Sequence, residues 1–247
     1  MSIKIENVVT PSPEQWEATI VGMRHPLLSY DWMDSGFAFY TEFEEQDRIG
    51  TPDNDGYLYG LGENDLDLMM RLRNAGPEHR KFMRMITVYM DITAPLYWWK
   101  EFDTYKVGIV ANSCSTMHKI HAKEFTLEDF SCEHLLSSAN DKKCVIEDIY
   151  DSYYELDPTD MLDRIIDMLN KCRILFLETK DKKYWWQMIQ LLPSSYNQKR
   201  KIMLNYEVLV TMYHQRKNHK LDEWREFCSW IETLPYSELI TGSKKED

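Results

Sequence analysis

The chain lacks any apolar run near the ~20 residues that a membrane-spanning helix needs. Its opening stretch, MSIKIENVVTPSPEQW, has no apolar core and no small-residue cleavage site, so no secretory leader is expected. Cysteine is sparse: Cys114, Cys132, Cys144, Cys172 and Cys228 are an odd set of five with no CxxC spacing. Such a set is expected as reduced thiols in a cytoplasmic protein, with neither a disulfide framework nor a zinc site. Positive charge is short as well. The chain has 29 Lys and Arg against 41 Asp and Glu, a net charge of −12. That excludes a broad basic face for nucleic acid. A small anionic ligand is still compatible, because it needs only two or three local cations. Several familiar motifs are missing too. Gly60-Leu61-Gly62 lacks the third glycine of a dinucleotide fingerprint, no GxSxG elbow occurs, and there is no internal repeat or clear linker.

What is present is a long, aromatic-rich chain of 247 residues with 8 Trp and 15 Tyr. It can bury a substantial core, and the expectation is one α+β domain over residues 1–247. Residues 1–60 mix aromatics with turn formers, and the cluster Gly50, Pro52, Asp53, Asn54, Asp55, Gly56 reads as an exposed loop. NDLDLMMRLRNAG then predicts a helix with Asn64 as N-cap, Asp65 and Asp67 in the first turn, Leu66, Met69 and Met70 facing inward, and Gly76 as the stop. ITVYMDI, residues 86–92, predicts a strand. TAPLYWWKEFDTYK predicts a helix beginning at Pro95, with Leu96, Trp99 and Phe102 or Asp103 at helical spacing.

The second half reads as mostly helical. DPTDMLDRIIDMLNKCRILFLET starts on Pro158 and Asp160 signals and carries a stripe of Met161, Ile165, Met168, Leu169 and Cys172. DKKYWWQMIQLLP predicts a helix ended by Pro193. SSYNQKRKIMLNYEVLVTMYHQRK predicts one helix of about six turns from a serine cap. LDEWREFCSWIETLP predicts a last helix ended by Pro235, followed by a polar, frayed tail, TGSKKED.

The chemistry concentrates in TYKVGIVANSCSTMHK, residues 104–119. Lys106, Asn112, Ser113, Ser115, Thr116 and Lys119 are residue types that could cradle a phosphate at a helix N-terminus. Equally, Asn112 or Ser113 could simply cap a helix running to Ile120. Residue types leave both readings open. Cys114, His118 and His121 offer a third, a Cys/His metal site, but no fourth ligand is evident and the histidines read first as surface or hydrogen-bonded residues. Cys114 reads as a structural thiol. His214 and His219 read as solvated or capping residues.

The order of these motifs resembles that of the flavin-dependent thymidylate synthases. In that family a strand leads through an Ala-Pro turn to a helix carrying RHRxxSxNExSxRY. Here Ala94-Pro95 match the turn, Thr104-Tyr105-Lys106 stand where RHR stands with only Lys106 keeping a positive charge, and, after one extra residue, Asn112 through His118 stand where NExSxRY stands, with Asn112 and Ser115 identical. A second block agrees: Leu192-Pro193-Ser194-Ser195, then Gln215-Arg216, then Glu223-Trp224-Arg225. The matched blocks cover residues 86–119 and 186–227, while residues 1–60 are atypical of the family.

The resemblance implies an α+β fold with a central, mostly antiparallel sheet and long helices. It implies a cytoplasmic homotetramer binding FAD and a deoxyuridylate-type nucleotide, with methylene-tetrahydrofolate and NADPH as co-substrates. By position, Lys106 would meet flavin phosphates and Asn112 would orient the flavin ring, with Ser113 and His118 on the same cofactor side. Ser115 would bond the nucleotide phosphate. Arg216 would meet the pyrimidine base or its developing charge. Ser115 and Arg216 are thus the candidates nearest the chemistry, and Glu101 joins them on the substrate side. The departures are specific. Thr104 and Met117 stand where the family has arginines, Glu101 where it has a neutral glutamine, and Ile189 near another expected arginine. A carboxylate ~4 Å from a phosphate charge costs about 4 kcal/mol at a surface-like dielectric, and one lysine does not replace bidentate arginine contacts. The implied function is thymidylate synthase-like methyl transfer. The alternative is a non-catalytic oligomeric nucleotide-binding or interaction protein on the same fold.

Overall fold

The computed structural model describes residues 3–147 and 155–242. In chain order its regular elements are β1 (Lys4–Val9), α1 (Pro13–Arg24), β2 (Gly36–Phe39), β3 (Tyr57–Gly60), α2 (Glu63–Asn74), β4 (Thr87–Pro95), α3 (Leu96–Phe102) and β5 (Val110–Ser113). They continue with β6 (Ile146–Glu147), β7 (Glu155–Leu156), α4 (Pro158–Thr179), α5 (Lys182–Leu191), β8 (Asn197–Asn205), α6 (Tyr206–Arg216), α7 (Asp222–Ile231) and α8 (Glu238–Thr241). The main sheet has the order β1-β4-β8-β5, and β2–β3 and β6–β7 form two small antiparallel pairs. The Tyr206 amide donates to Ile86 O at one end of β4 and the Leu96 amide to Tyr196 O at the other, which is antiparallel pairing of β4 with β8. The expected α+β class with an antiparallel sheet is therefore present.

The chain forms two compact units. One comprises Met1–Lys4, Thr93–Lys100 and Ser113–Lys199, and the other Ile5–Ile92, Glu101–Asn112 and Arg200–Asp247. In the first unit, α4 and α5 close over a core of Phe125, Phe130, Leu162, Leu169, Cys172 and Met188. Helix α4 starts as its sequence predicts. Asp157 is the N-cap, its carboxylate accepts from the Asp160 amide, Asp160 returns the bond, and Pro158 opens the first turn. The buried face differs from the expected stripe: Leu162, Ile166, Leu169 and Cys172 point inward, while Met161 and Met168 are exposed. Apolar residues flank both sides of the true seam, so periodicity alone misplaces it by one position.

In the second unit the core is aromatic. Trp16 is fully buried and meets Tyr206 and Tyr236 edge-on, with centroids at 6.0 and 5.7 Å. The two phenols are satisfied, Tyr206 by donating to Pro235 O and Tyr236 by accepting from the Leu61 amide. Burial pushes the Cys228 thiol up to about 12, so it is a neutral core residue.

Three helix expectations are corrected. Helix α2 begins at Glu63, and its first-turn amides at Asn64 and Asp65 donate to the Asp34 carboxylate, 30 residues upstream, so Asn64 is not the cap. Asp65, Leu68 and Met69 form its buried face. Pro95 ends β4 and does not open a helix; α3 starts one residue later and buries Trp98, Trp99 and Phe102. The single helix expected over 194–217 is a strand followed by a helix. Gln198, Ile202 and Leu204 are buried at even spacing, and the Asn205 side chain then accepts from the Val208 amide to start α6. Of the polar tail, Thr241 closes α8 and Gly242 caps it at φ +77°, while residues 243–247 lie outside the described residues.

One buried ion pair organises the start of the second unit. Arg24 Nε meets Asp65 Oδ1 at 2.6 Å, with side chains 3% and 0% exposed. The guanidinium also donates to Ser29 O and Trp32 O, and Asp65 accepts from the Ser35 hydroxyl and from the Asp34 and Ser35 amides. Burial pushes the Asp65 carboxyl up, but the bonds from Ser35, Arg24 and the Asp34 amide outweigh it and hold it below its ordinary value. Its stabilising contribution is therefore complete above pH ~4 and is lost as pH falls through the lower folded value. Arg24→Met strands the buried carboxylate and is expected to cost about 3–5 kcal/mol at neutral pH. Urea unfolding at pH 7 and at successively lower pH measures both the loss and its shrinkage on acidification.

Candidate functional site

The stretch 104–119 is neither of the helices its residue types allow. After α3 the chain turns, with the Thr104 and Tyr105 amides donating to Glu101 O and Phe102 O. It passes through Gly108 at φ +82° and enters β5, whose four residues are all exposed. A Cβ on Gly108 would overlap Asn205 Nδ2, so this glycine lets the segment press against the cap of α6. The polar cluster therefore lies on an exposed strand and a turn, and no helix N-terminus offers its amides to a phosphate here.

In the second unit, two sequence-predicted residues meet. Arg216, in the last turn of α6, donates from Nη1 to Glu101 Oε2 at 2.7 Å. The same carboxylate oxygen accepts from Trp224 Nε1 at 2.9 Å and faces His219 Nε2 at 3.5 Å. The arginine is further fixed by Tyr105, whose hydroxyl accepts from Nε at 2.8 Å and donates to Gln215 Oε1 at 2.8 Å. Its guanidinium carbon lies 4.8 Å from the Trp224 ring centroid and 5.7 Å from that of Tyr105. His219 Nδ1 accepts from the Leu221 amide, which leaves the Nε2 proton facing Glu101. Beside this cluster Arg200 pairs with Asp103 at 2.7 Å. Two arginines thus meet two carboxylates. Glu101 is 36% exposed and Arg216 19%, so solvent screens the pair and its value lies in fixing the guanidinium more than in stability.

Lys106 and Asn112 are exposed in the same unit. Ser113, Ser115 and His118 belong to the first unit and are exposed there. Ser115 Oγ accepts from the His118 amide at 2.8 Å and from the Met117 amide at 3.3 Å, a serine turn that leaves its own hydroxyl proton for a partner. Trp185 Nε1 holds the turn by donating to Met117 O. The Cys114 amide donates to Lys199 O, and its carbonyl accepts from Gln198 Nε2. His121 packs on Phe176, with centroids at 4.8 Å. His214 is exposed and accepts from Arg73 at Nε2; burial and the cations of Arg73, Lys217 and Arg80 lower its basicity. Among the described residues no group of three or more His, Cys, Asp or Glu is placed to hold a metal ion. Sequence reasoning did not single out Tyr105, Gln215, His219 or Trp224 for this cluster. The signal available was that Tyr105, Gln215 and Trp224 fall inside the matched blocks, since contacts over more than a hundred residues leave no local pattern.

No family model matches the chain, and no curated protein does. Solved structures do. Thymidylate synthase X (ThyX) from Helicobacter pylori with FAD and dUMP has a TM-score of 0.60 at 14% identity, over 100% of both chains. The flavin-dependent thymidylate synthase ThyX from the same organism, in another crystal structure complexed with FAD and dUMP, has a TM-score of 0.57 at 15% identity, over 99% of this chain and 100% of that one. The UMP/dUMP methylase PolB from Streptomyces cacaoi, bound with 5-Br dUMP, has a TM-score of 0.52 at 12% identity, over 98% and 96%. At such identities the likeness shows the fold: this chain is α+β and ThyX-like in architecture.

Gly108→Ala tests the local geometry. A left-handed alanine costs about 1–2 kcal/mol, and displacing the Asn205 cap adds about 1. The expected loss is about 2–3 kcal/mol in chemical unfolding. Gly36→Ala, where an added methyl group would meet open space, is expected to cost much less.

Proposed function

We propose that the chain is a divergent flavin-dependent thymidylate synthase-like protein. On this reading it binds FAD and a deoxyuridylate-type nucleotide, and it transfers the one-carbon unit of methylene-tetrahydrofolate, with NADPH as reductant, as a cytoplasmic homotetramer. The observation that carries the reading is the fold shared over the whole chain with proteins crystallised with FAD and dUMP, together with an Arg216 guanidinium held in place by Tyr105 and Trp224.

The donors along 104–118 suit a flavin and a phosphate. Lys106 is exposed and makes no ion pair among the described residues, so its charge is available to flavin phosphates. Asn112 and Ser113 present amide and hydroxyl groups from an exposed strand, where they could hydrogen-bond the ring edge, with His118 beyond them. Ser115 would donate its hydroxyl proton to the nucleotide phosphate. Arg216, held by Tyr105 and Trp224, would face the pyrimidine and stabilise negative charge developing on it. When bound, the reduced flavin supplies the hydride.

A second reading, a non-catalytic oligomeric nucleotide-binding or interaction protein, is favoured by one specific observation. Glu101 already neutralises Arg216, so an entering dianion meets a compensated charge. The two readings separate by experiment. Purified protein titrated with FAD and dUMP is expected to show flavin absorbance, and methylene-tetrahydrofolate is expected to give dUMP-dependent NADPH oxidation. Absence of FAD uptake sinks the first reading, whereas binding without turnover selects the second. Glu101→Gln keeps the acceptor and removes the charge. Solvent exposure trims the ~4 kcal/mol repulsion to about 1.4, so dUMP is expected to bind about tenfold tighter by calorimetry.

A further inference from the structure

The hairpin β2–β3 presents a face of which only Tyr59 is buried in the core. Phe37 is 64% exposed, Tyr57 45% and Phe39 42%, and Trp32, just before the hairpin, is 67% exposed. The antiparallel register sets Phe39 opposite Tyr57 and Phe37 opposite Tyr59, while Leu58 in the intervening row is buried. The rings lie edge to face, with centroids at 6.0 Å for Phe39–Tyr57 and 5.4 Å for Phe37–Tyr59. The hairpin is anchored from behind. A Cβ on Gly60 would overlap the Phe43 ring, so that ring lies directly against the strand. A patch of large exposed rings on one ordered hairpin marks an interaction surface more than scattered exposure would.

Charge selects the partner. From Asp31 to Gly56 the sequence carries eight carboxylates and a single cation, Arg48. Glu42, Glu44, Glu45 and Asp55 are exposed and make no ion pair among the described residues. Base stacking on the rings would need a cationic groove to follow the phosphates, and this surface has the opposite sign. Anionic lipid headgroups are repelled in the same way. A second copy of the chain meeting through the same face would set like charge against like. The one cation in the segment shows what the surface accepts: the Arg48 guanidinium lies over the Tyr40 ring, 5.5 Å from its centroid.

We propose that this acidic aromatic face docks an arginine-rich polypeptide segment of a partner protein. Guanidinium groups would stack on Phe37, Phe39 and Tyr57, and the carboxylates of the connecting segment, Glu42, Glu44, Glu45 and Asp55, would pair with them.

The test uses the full chain and a fluorescently labelled (Arg-Gly)5 peptide, followed by anisotropy at low salt and at physiological salt. Binding is expected to weaken with salt, and the (Arg-Gly)5 peptide is expected to bind several-fold tighter than (Lys-Gly)5. Phe37→Ser with Tyr57→Ser should weaken it at least tenfold. So should Glu42→Gln with Glu44→Gln and Glu45→Gln, a change that leaves every ring in place. Unchanged circular dichroism confirms that both variants fold. Three results overturn the proposal: no binding of the peptide, equal binding by wild type and both variants, or an oligomer of any size seen in sedimentation that Phe37→Ser dissociates, which would assign the face to a second copy.

Discussion

The buried pair of Arg24 and Asp65 is the interaction on which the second unit depends. It is the end of α1 gripping the start of α2, and each partner directs its remaining hydrogen-bonding capacity to the segment 29–35 that connects toward the hairpin. A carboxylate taken fully out of water is tolerable only when its oxygens are saturated. Asp65 meets that condition with one guanidinium, one hydroxyl and two amides. Asp34, held next to it, then completes the N-terminus of α2. The segment, which holds one short 3-10 turn at Tyr30–Trp32, is thus tied to both helices by charge. The aromatic hairpin is presented from that platform.

The same logic, at lower burial, governs the candidate site. Arg216 is pinned by an acid, a phenol and an indole, three residues from α3, the turn after it and α7. Such fixing would favour a group meant to act on a bound base, because a preorganised guanidinium loses little freedom on meeting its target. It works against phosphate binding, because the compensating carboxylate travels with it. Thr104, Met117 and Glu101 are the residues that differ most from the thymidylate synthase pattern. Each makes its own neighbourhood less positive than that pattern would. Around Arg216 the polar contacts are kept while the net charge offered to a dianion is cancelled. Lys106 is the exposed cation left in the turn after α3, and it carries a single point charge.

Legibility followed the range of the interactions. The start of α4 could be read directly, since Asp157, Pro158 and Asp160 solve the capping problem within four residues. The start of α2 could not, because its amides are capped by Asp34 from another segment. The break between β8 and α6 was hidden inside KRKIMLNYEVLV, a run whose apolar content suits either period. Only strand pairing with β4, together with the Asn205 cap, separates the two elements. In the candidate site, Glu101 and Arg216 were identifiable by their place in ordered motifs, but nothing local implied that they would bond to each other.

Composition and short-range pattern were enough to establish the mixed α+β character, the acidic balance, the absence of a long apolar helix and the aromatic wealth that fills the core. These depend on residue types and on spacings within a few positions. Folding in three dimensions was needed to make 104–119 an exposed strand and turn, to neutralise Arg216 with Glu101, and to hold the rings of an acidic hairpin outward. Each of those outcomes turns on charges or backbone groups brought together across tens to hundreds of residues. Their energies are settled by burial and distance in the folded chain, not by neighbours in sequence.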